Sequence, residues 1–302
     1  VVGSVLATIA VTLAVLNLMP AEQRIERKIE RRYDTGSPEY FRSMGVLLGP
    51  PVLAGNRVEA LQNGRDIFPS MLAAIRGAQR TITFETYIYW SGEVGQTFAD
   101  ALSERARAGV RVHVLLDWVG SQKIEAQLLD AMREAGVQIH LYRPLSWYHI
   151  ARMNNRTHRK LLVVDGRIGF TGGVGIADKW SGNAEDAEHW RDSHYRVEGP
   201  VVAQMQATFL DNWTKVSGEV QHGADYLPSI EPAANARAQM FSSSPDGGAD
   251  SMQLMYLLVA TAATRTIDLA SAYFVPDELT SNALVDAMRR GVRFRLIVPG
   301  PI

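Results

Sequence analysis

Apolar and polar positions alternate along this chain with periods that change from segment to segment. Residues 80–89 (RTITFETYIY) are β-branched and aromatic with period two, which predicts a strand. Val94, Phe98 and Leu102 then recur every fourth residue, predicting a helix to about Ala108 that stops at Gly109. A strand over 110–116 follows. Next come a helix marked by Ile124, Leu128 and Met132 that closes at Gly136, and a strand over 137–142. Residues 160–164 and 168–170 flank Asp165-Gly166, a strong hairpin signal. Residues 194–197 continue as a strand, and Pro200 opens a helix through Met205, Phe209 and Trp213. This order predicts an α/β fold with a mostly parallel sheet flanked by helices.

The phrase at 78–82 (AQRTI) returns at 263–267 (ATRTI), and Gly109-Val110-Arg111-Val112 returns as Gly291-Val292-Arg293-Phe294. Strand, helix and strand recur in order, so the chain reads as a duplicated unit whose second copy breaks off after its second strand. The predicted organisation is 1–21 as a transmembrane anchor, 22–57 as a linker, 58–220 as the first domain and 235–302 as the start of a second. Both ends read as cut, with no Met at position 1 and no tail after the strand-like run that ends the sequence.

Residues 1–21 contain no charge, and Leu6, Ile9, Val11, Leu13, Val15, Leu16 and Leu18 dominate. A run of that length matches a hydrocarbon core of about 30 Å, which predicts a single-pass, uncleaved anchor rather than a signal peptide. Arg24, Arg27, Lys28, Arg31 and Arg32 follow it. By the positive-inside rule the following domain lies on the cytoplasmic side.

Composition narrows the chemistry. The 302 residues carry a net charge of −1, so a dedicated nucleic-acid surface is disfavoured and no nucleic-acid partner is expected. The absence of Cys excludes disulfides, Cys-ligated zinc and a thiol nucleophile.

The informative segment is 155–166 (NRTHRKLLVVDG), which contains H-x-K-x4-D as His158, Lys160 and Asp165. Chance alone places that pattern in about six of a thousand such chains. On an extended strand His158 and Lys160 share a face. A neutral imidazole nitrogen there can attack phosphorus while the ammonium holds a non-bridging oxygen. The neighbouring cation favours the neutral imidazole. A turn Asp before Gly is usually structural, so no direct chemical role is read for Asp165 from its position alone. His158 taken alone reads equally as an ordinary strand residue.

With its flanking blocks the sequence resembles the phospholipase D superfamily, and within it bacterial cardiolipin synthases. The blocks are 84–89 (FETYIY), 169–173 (GFTGG), 190–192 (WRD) with 196–200 (RVEGP), and 273–277 (YFVPD). The resemblance implies a duplicated phospholipase D-like α/β sandwich with one such motif per half, no metal and no cofactor. It makes His158, Lys160, Asp165 and Asp192 the candidate catalytic set, with Asp192 bonding the imidazole, and Gly172 and Gly173 the candidate substrate-binding pair. It implies a phospho-histidine intermediate, phosphatidylglycerol as the phospholipid substrate, and the bilayer as a partner. Two departures stand out. Gly175 occupies a position where the family often has Asn, and the second motif's His would fall near position 340.

Other readings stay open. The aromatic stretch 144–150 reads equally as core packing or as a lipid-contacting rim. Arg152, Arg156 and Arg159 read as a solvated face or as an anion-gathering group. Phospholipase D hydrolysis would use the same residues with water as acceptor, and a tethered scaffold would keep the fold without turnover.

Overall fold

The computed structural model describes residues 2–18, 25–144, 156–243, 249–298 and 300. The stretch 145–155, which holds most of the aromatic segment and Arg152, lies outside the described residues, as do residues 19–24. The chain divides into two compact units, Gly36–Ala249 and Val1–Thr35 with Asp250–Ile302.

The Gly36–Ala249 unit is built around an eight-stranded sheet among the described residues. Its elements in order are helix α2 (Pro38–Leu48), strand β1 (Leu53–Gln62), helix α3 (Asn63–Gly77), β2 (Thr81–Thr86), α4 (Glu93–Arg107), β3 (Arg111–Asp117), α5 (Ala126–Glu134), β4 (Gln138–Tyr142), β5 (Leu161–Val164), β6 (Ile168–Gly172), β7 (Ser193–Glu198), α6 (Val202–Ser217) and β8 (Ala236–Ala238). The spatial order is β4-β3-β2-β5-β6-β7-β1-β8. Helices α2 and the start of β1 occupy much of the stretch that reads as a linker in the sequence.

The sheet is mixed, which corrects the mostly parallel expectation. Only β2–β3 and β3–β4 pair in parallel. The pairs β2–β5, β5–β6, β6–β7, β1–β7 and β1–β8 are antiparallel. The reason is connection length. Helices α4 and α5 are long enough for parallel crossovers, whereas the tight turn after β5 forces reversal. That turn is the Asp165-Gly166 pair, with φ of 53° and 61°, both positive as a type I′ hairpin requires.

Two cores sandwich the sheet. On one face α3, α4 and α5 contribute Ile67, Phe98, Leu102 and Met132 against Ile82, Phe84, Leu162 and Phe170. On the other, α6 lays Met205, Phe209 and Trp213 over Leu115, Leu161, Val163 and Val197. Successive β5 residues therefore serve opposite cores, and His158 and Lys160 extend the parity of Leu162 and Val164.

Asp165 sits at the hairpin, at the opposite end of β5 from Lys160. Its carboxylate accepts backbone N–H groups from Gln79 (2.9 Å), Arg80 (2.7 Å) and Thr81 (2.9 Å). It thus ties the hairpin to the entry of β2, away from His158. Asp165→Ala removes three charge-assisted bonds and places Ala at positive φ, so urea denaturation should show a loss of about 3 kcal/mol.

The other unit contains α1 (Val2–Leu18), α7 (Ala249–Ala262), β9 (Thr266–Ala270), α8 (Glu278–Arg289) and β10 (Arg293–Ile297). Its β9–α8–β10 repeats the local geometry of β2–α4–β3. Both strand pairs are parallel. Gly109 and Gly291 both have φ of 90°. The bond from Arg111 N to Arg80 O (3.0 Å) has its counterpart from Arg293 N to Arg265 O (3.0 Å). The repeated phrase in the sequence is thus a repeated strand–helix–strand.

The expected transmembrane helix over 1–21 is not found. Helix α1 has 17 residues. At 1.5 Å per residue it spans about 25 Å, less than the roughly 30 Å of a hydrocarbon core. No described helix is long and apolar enough to cross a membrane.

Candidate active site

The candidate site lies where the chain enters β5. Two buried carboxylates fix that entry. Asp117, the last residue of β3, accepts N–H groups from Val119 (2.9 Å) and Gly120 (3.0 Å) with one oxygen, and from Thr157 (3.0 Å) with the other. Glu85, near the end of β2, accepts the Thr157 hydroxyl and an amide N–H of Asn212 (2.7 Å). Burial raises the Glu85 pKa, against the opposing pull of Arg159 and its two donors. Thr157 is therefore held by its backbone from one side and its side chain from the other. This sets the direction in which the next residue, His158, projects.

His158 and Lys160 meet as the strand pattern predicts. Lys160 Nζ lies 3.3 Å from His158 Nε2 and donates to the His158 carbonyl at 3.0 Å. The Tyr87 ring walls the imidazole, with centroids 4.7 Å apart and planes at 55°. Lys160 Nζ also stands 5.5 Å from the Tyr87 centroid, within cation–π range. Burial first, and the Lys160 charge second, lower the His158 pKa from 6.5, with Asp117 opposing. The imidazole is therefore neutral at neutral pH. Burial lowers Lys160 to about 8, against the pull of Asp192 and Asp117. Lys160 thus keeps its charge at neutral pH and loses it in mild alkali.

Asp192 is beside the site, but its partners differ from the expectation. Its carboxylate accepts from Trp180 Nε1 (3.1 Å) and from the backbone of Ser193 (2.8 Å). Its charge acts on Lys160, and the carboxylate acting on His158 is Asp117. Gly172 and Gly173 provide clearance. A Cβ on Gly173 would fall 1.9 Å from Asp192 Oδ1, and one on Gly172 would fall 2.6 Å from His194 Nδ1. The Gly173 N–H donates to Ser193 O (3.0 Å). Gly175, where the family often has Asn, packs with its Cβ position 2.7 Å from Ile88 Cβ and 3.0 Å from Trp180, leaving no room for a longer residue.

Of the sequence candidates, the structure brings together His158, Lys160, Gly172, Gly173 and Asp192, and sets Asp165 apart. It adds Tyr87, Asp117, Glu85 and His194. Tyr87 and Glu85 belong to the 84–89 block, and that was their only signal. Asp117 ends an apolar strand, a position where a buried carboxylate points to a site. Arg159 donates to Thr208 O (2.8 Å) and pairs with Asp211 (3.5 Å), so it belongs to the α6 face. Arg156 donates to Arg143 O at 3.4 Å. Among the described residues no group of three or more His, Asp or Glu is gathered as a metal ion would need.

A family model described as "Cardiolipin synthase, PLD-like domain" matches residues 71–213, which contain His158, Lys160 and Asp192. Cardiolipin synthase A of Pseudomonas putida (strain GB-1) is 33% identical over 290 residues, covering 96% of this chain and 59% of that protein. Cardiolipin synthase of Geobacillus kaustophilus (strain HTA426) is 36% identical over 252 residues, covering 82% of this chain and 50% of that protein. The chain thus spans just over half the length of the curated relatives it matches. Among solved structures, phosphatidylserine synthase of Haemophilus influenzae Rd KW20 superposes with a TM-score of 0.56 at 13% identity, covering 86% of this chain and 66% of that one, a likeness of fold. With a matching domain model around the paired His158 and Lys160, and relatives above 30% identity along most of its length, this chain belongs to the phospholipase D superfamily.

Proposed function

We propose that this chain carries the nucleophilic half of a phosphatidyltransferase of the cardiolipin synthase type. The observation that carries the reading is the 3.3 Å approach of the Lys160 ammonium to Nε2 of a neutral His158. In this reading His158 Nε2 attacks the phosphorus of a phosphatidylglycerol. A P–N bond forms, the P–O bond to the headgroup glycerol breaks, and the glycerol oxygen leaves with a proton. The imidazole of a second motif copy, expected near position 340, supplies that proton. The hydroxyl of a second phosphatidylglycerol then attacks the same phosphorus, returning its proton to that imidazole and releasing His158. Lys160 neutralises charge on the non-bridging oxygens throughout, its strongest effect being in the crowded transition state. Asp192 and Asp117 hold the ammonium charged, and Asp117 also fixes the backbone that aims the imidazole. The names of the relatives support a phospholipid substrate, taken from a bilayer surface.

Incubation of the full-length protein, with both motif copies, and labelled phosphatidylglycerol tests this directly. Cardiolipin with equimolar glycerol is expected. Phosphatidic acid instead would make the enzyme a hydrolase, and no turnover would leave a scaffold.

The ionisations set a pH profile. Protonating His158 removes the lone pair, so kcat/KM should rise with pH through a midpoint below 6.5. Deprotonating Lys160 removes the phosphate clamp, so activity should fall through a midpoint near 8. Initial rates from pH 5 to 9.5 would show a narrow bell. A plateau extending to pH 9.5 would contradict the assignment of Lys160.

A further inference from the structure

His194 has a chemistry that the reaction above does not use. It lies on β7, is 1% exposed, and neither of its ring nitrogens has a hydrogen-bond partner among the described residues. A buried imidazole without a partner is costly and needs an explanation. Its place in the sheet supplies one. His194 pairs with Gly172 on β6 and with Leu61 on β1. Leu161 pairs with Thr171, so continuing the register by one residue sets Lys160 opposite Gly172. Lys160, Gly172 and His194 thus form one row across three adjacent strands. Two strand spacings separate the outer Cα atoms by about 10 Å, a gap that a lysine and a histidine can close if nothing stands between them. Nothing does, because the middle residue is glycine. The imidazole lies in that notch, so close that a Cβ on Gly172 would meet its Nδ1 at 2.6 Å.

The ammonium has a reason to move along this row. In the resting geometry two of its three N–H groups face His158, one toward the carbonyl and one toward Nε2. The second contact occupies the lone pair that must attack phosphorus. We propose that His194 is a positioning residue for Lys160: a neutral imidazole lodged over Gly172 whose free nitrogen accepts an N–H of the Lys160 ammonium, drawing it off His158 Nε2 and toward the phosphate oxygens. The proposal rests on the reading of His158 as nucleophile and Lys160 as clamp. The charges around the row are consistent with it. Lys160 is the cation that acts on His194, and Asp192 and Asp117 are the carboxylates that act on Lys160. Burial first, and then Lys160, lower the His194 pKa to about 3, so the imidazole stays an acceptor across the working range.

Two variants separate this role from packing. His194→Gln keeps an acceptor at similar reach, and His194→Leu keeps the volume without one. The chain has five lysines, so the Lys160 ammonium can be followed by NMR of labelled lysine and assigned with Lys160→Arg. In wild type and His194→Gln, Lys160 is expected to titrate at the same pH. In His194→Leu it is expected to titrate at lower pH, with kcat about tenfold lower, KM unchanged, and the alkaline limb of the pH profile moved with it. An unchanged Lys160 titration in His194→Leu would overturn the proposal, whatever happens to the rate. So would equal loss of kcat in both variants with the titration in place, which would make His194 a packing residue only. Titration is read with inorganic phosphate bound and no lipid, the state in which the ammonium leaves His158 Nε2. If wild type transfers no phosphatidyl group, the functional reading fails alone, and the NMR result still decides the pairing of His194 with Lys160.

Discussion

Replacing His158 by Ala should abolish phosphatidyl transfer, with kcat falling about 10⁴-fold or more, because the proposed bond from phosphorus to Nε2 can no longer form. The Tyr87 hydroxyl is far less nucleophilic than an imidazole at neutral pH. Lys160 Nζ is charged there, with burial lowering its pKa only to about 8. The variant should fold normally. His158 is partly exposed, and its ring makes one aromatic contact with Tyr87 and one polar contact with Lys160. Substrate binding should survive because the cation remains. A normal circular dichroism spectrum and melting curve, an unchanged KM for any residual turnover, and a lost rate would together mark a residue that acts on the reacting atom.

The second large effect is Lys160→Met, where activity and stability should move in opposite directions. Removing the clamp should cost about 10³-fold in kcat. Stability should rise. The folded-state pKa of about 8 lies below the ordinary 10.5. Between those values the unfolded chain binds more protons, so wild-type stability increases with pH across that window. Below pH 8 the buried charge imposes its full cost, even with Asp192 and Asp117 nearby. Methionine has similar length and no charge, and both carboxylates keep their N–H donors. Urea denaturation at pH 7 should therefore show a gain of about 2 kcal/mol, shrinking as pH rises toward 10.5. A charge retained at such cost is expected of a group kept for catalysis.

The approach of His158 to Lys160 was legible because the two stand two residues apart in the extended segment that leads into β5. H-x-K places two side chains on one face whatever surrounds them, and Asp165-Gly166 gave the turn that follows. The supporting groups come from other strands. Asp117 reaches Thr157 across 40 positions and Glu85 across 72, and neither carries a local pattern that names its partner. The resemblance singled out Asp192 as a partner of His158, whereas its contacts are with Trp180 and Ser193 and its charge acts on Lys160. His194 was visible only as a strand residue, since its surroundings depend on a glycine on the neighbouring strand.

The fold was less fully legible. Helix α3 was overlooked although Ile67, Met71 and Ile75 repeat every fourth residue, because Gly64 and Pro69 interrupt the pattern. Gly64 is required there, since a Cβ would fall 1.9 Å from Trp180 O. The sheet was expected to be mostly parallel because β2, β3 and β4 alternate with helices, and those three are indeed parallel neighbours. The hairpin at Asp165-Gly166 already held the correction, since so short a connection joins only antiparallel strands. Apolar composition at 1–21 predicted a membrane span, but composition does not fix helix length, and no described helix is long and apolar enough to cross a membrane.

One measurement tests the central claim most directly. The protein would be mixed with phosphatidylglycerol labelled in its phosphate, quenched within the first turnover under alkaline denaturing conditions that preserve P–N bonds, and digested for mass spectrometry. A phosphatidyl adduct that is stable in base, cleaved by acid and located on the peptide containing His158 is the predicted result. Full turnover with the label on another residue, or with no adduct and an undiminished rate in His158→Ala, would contradict it.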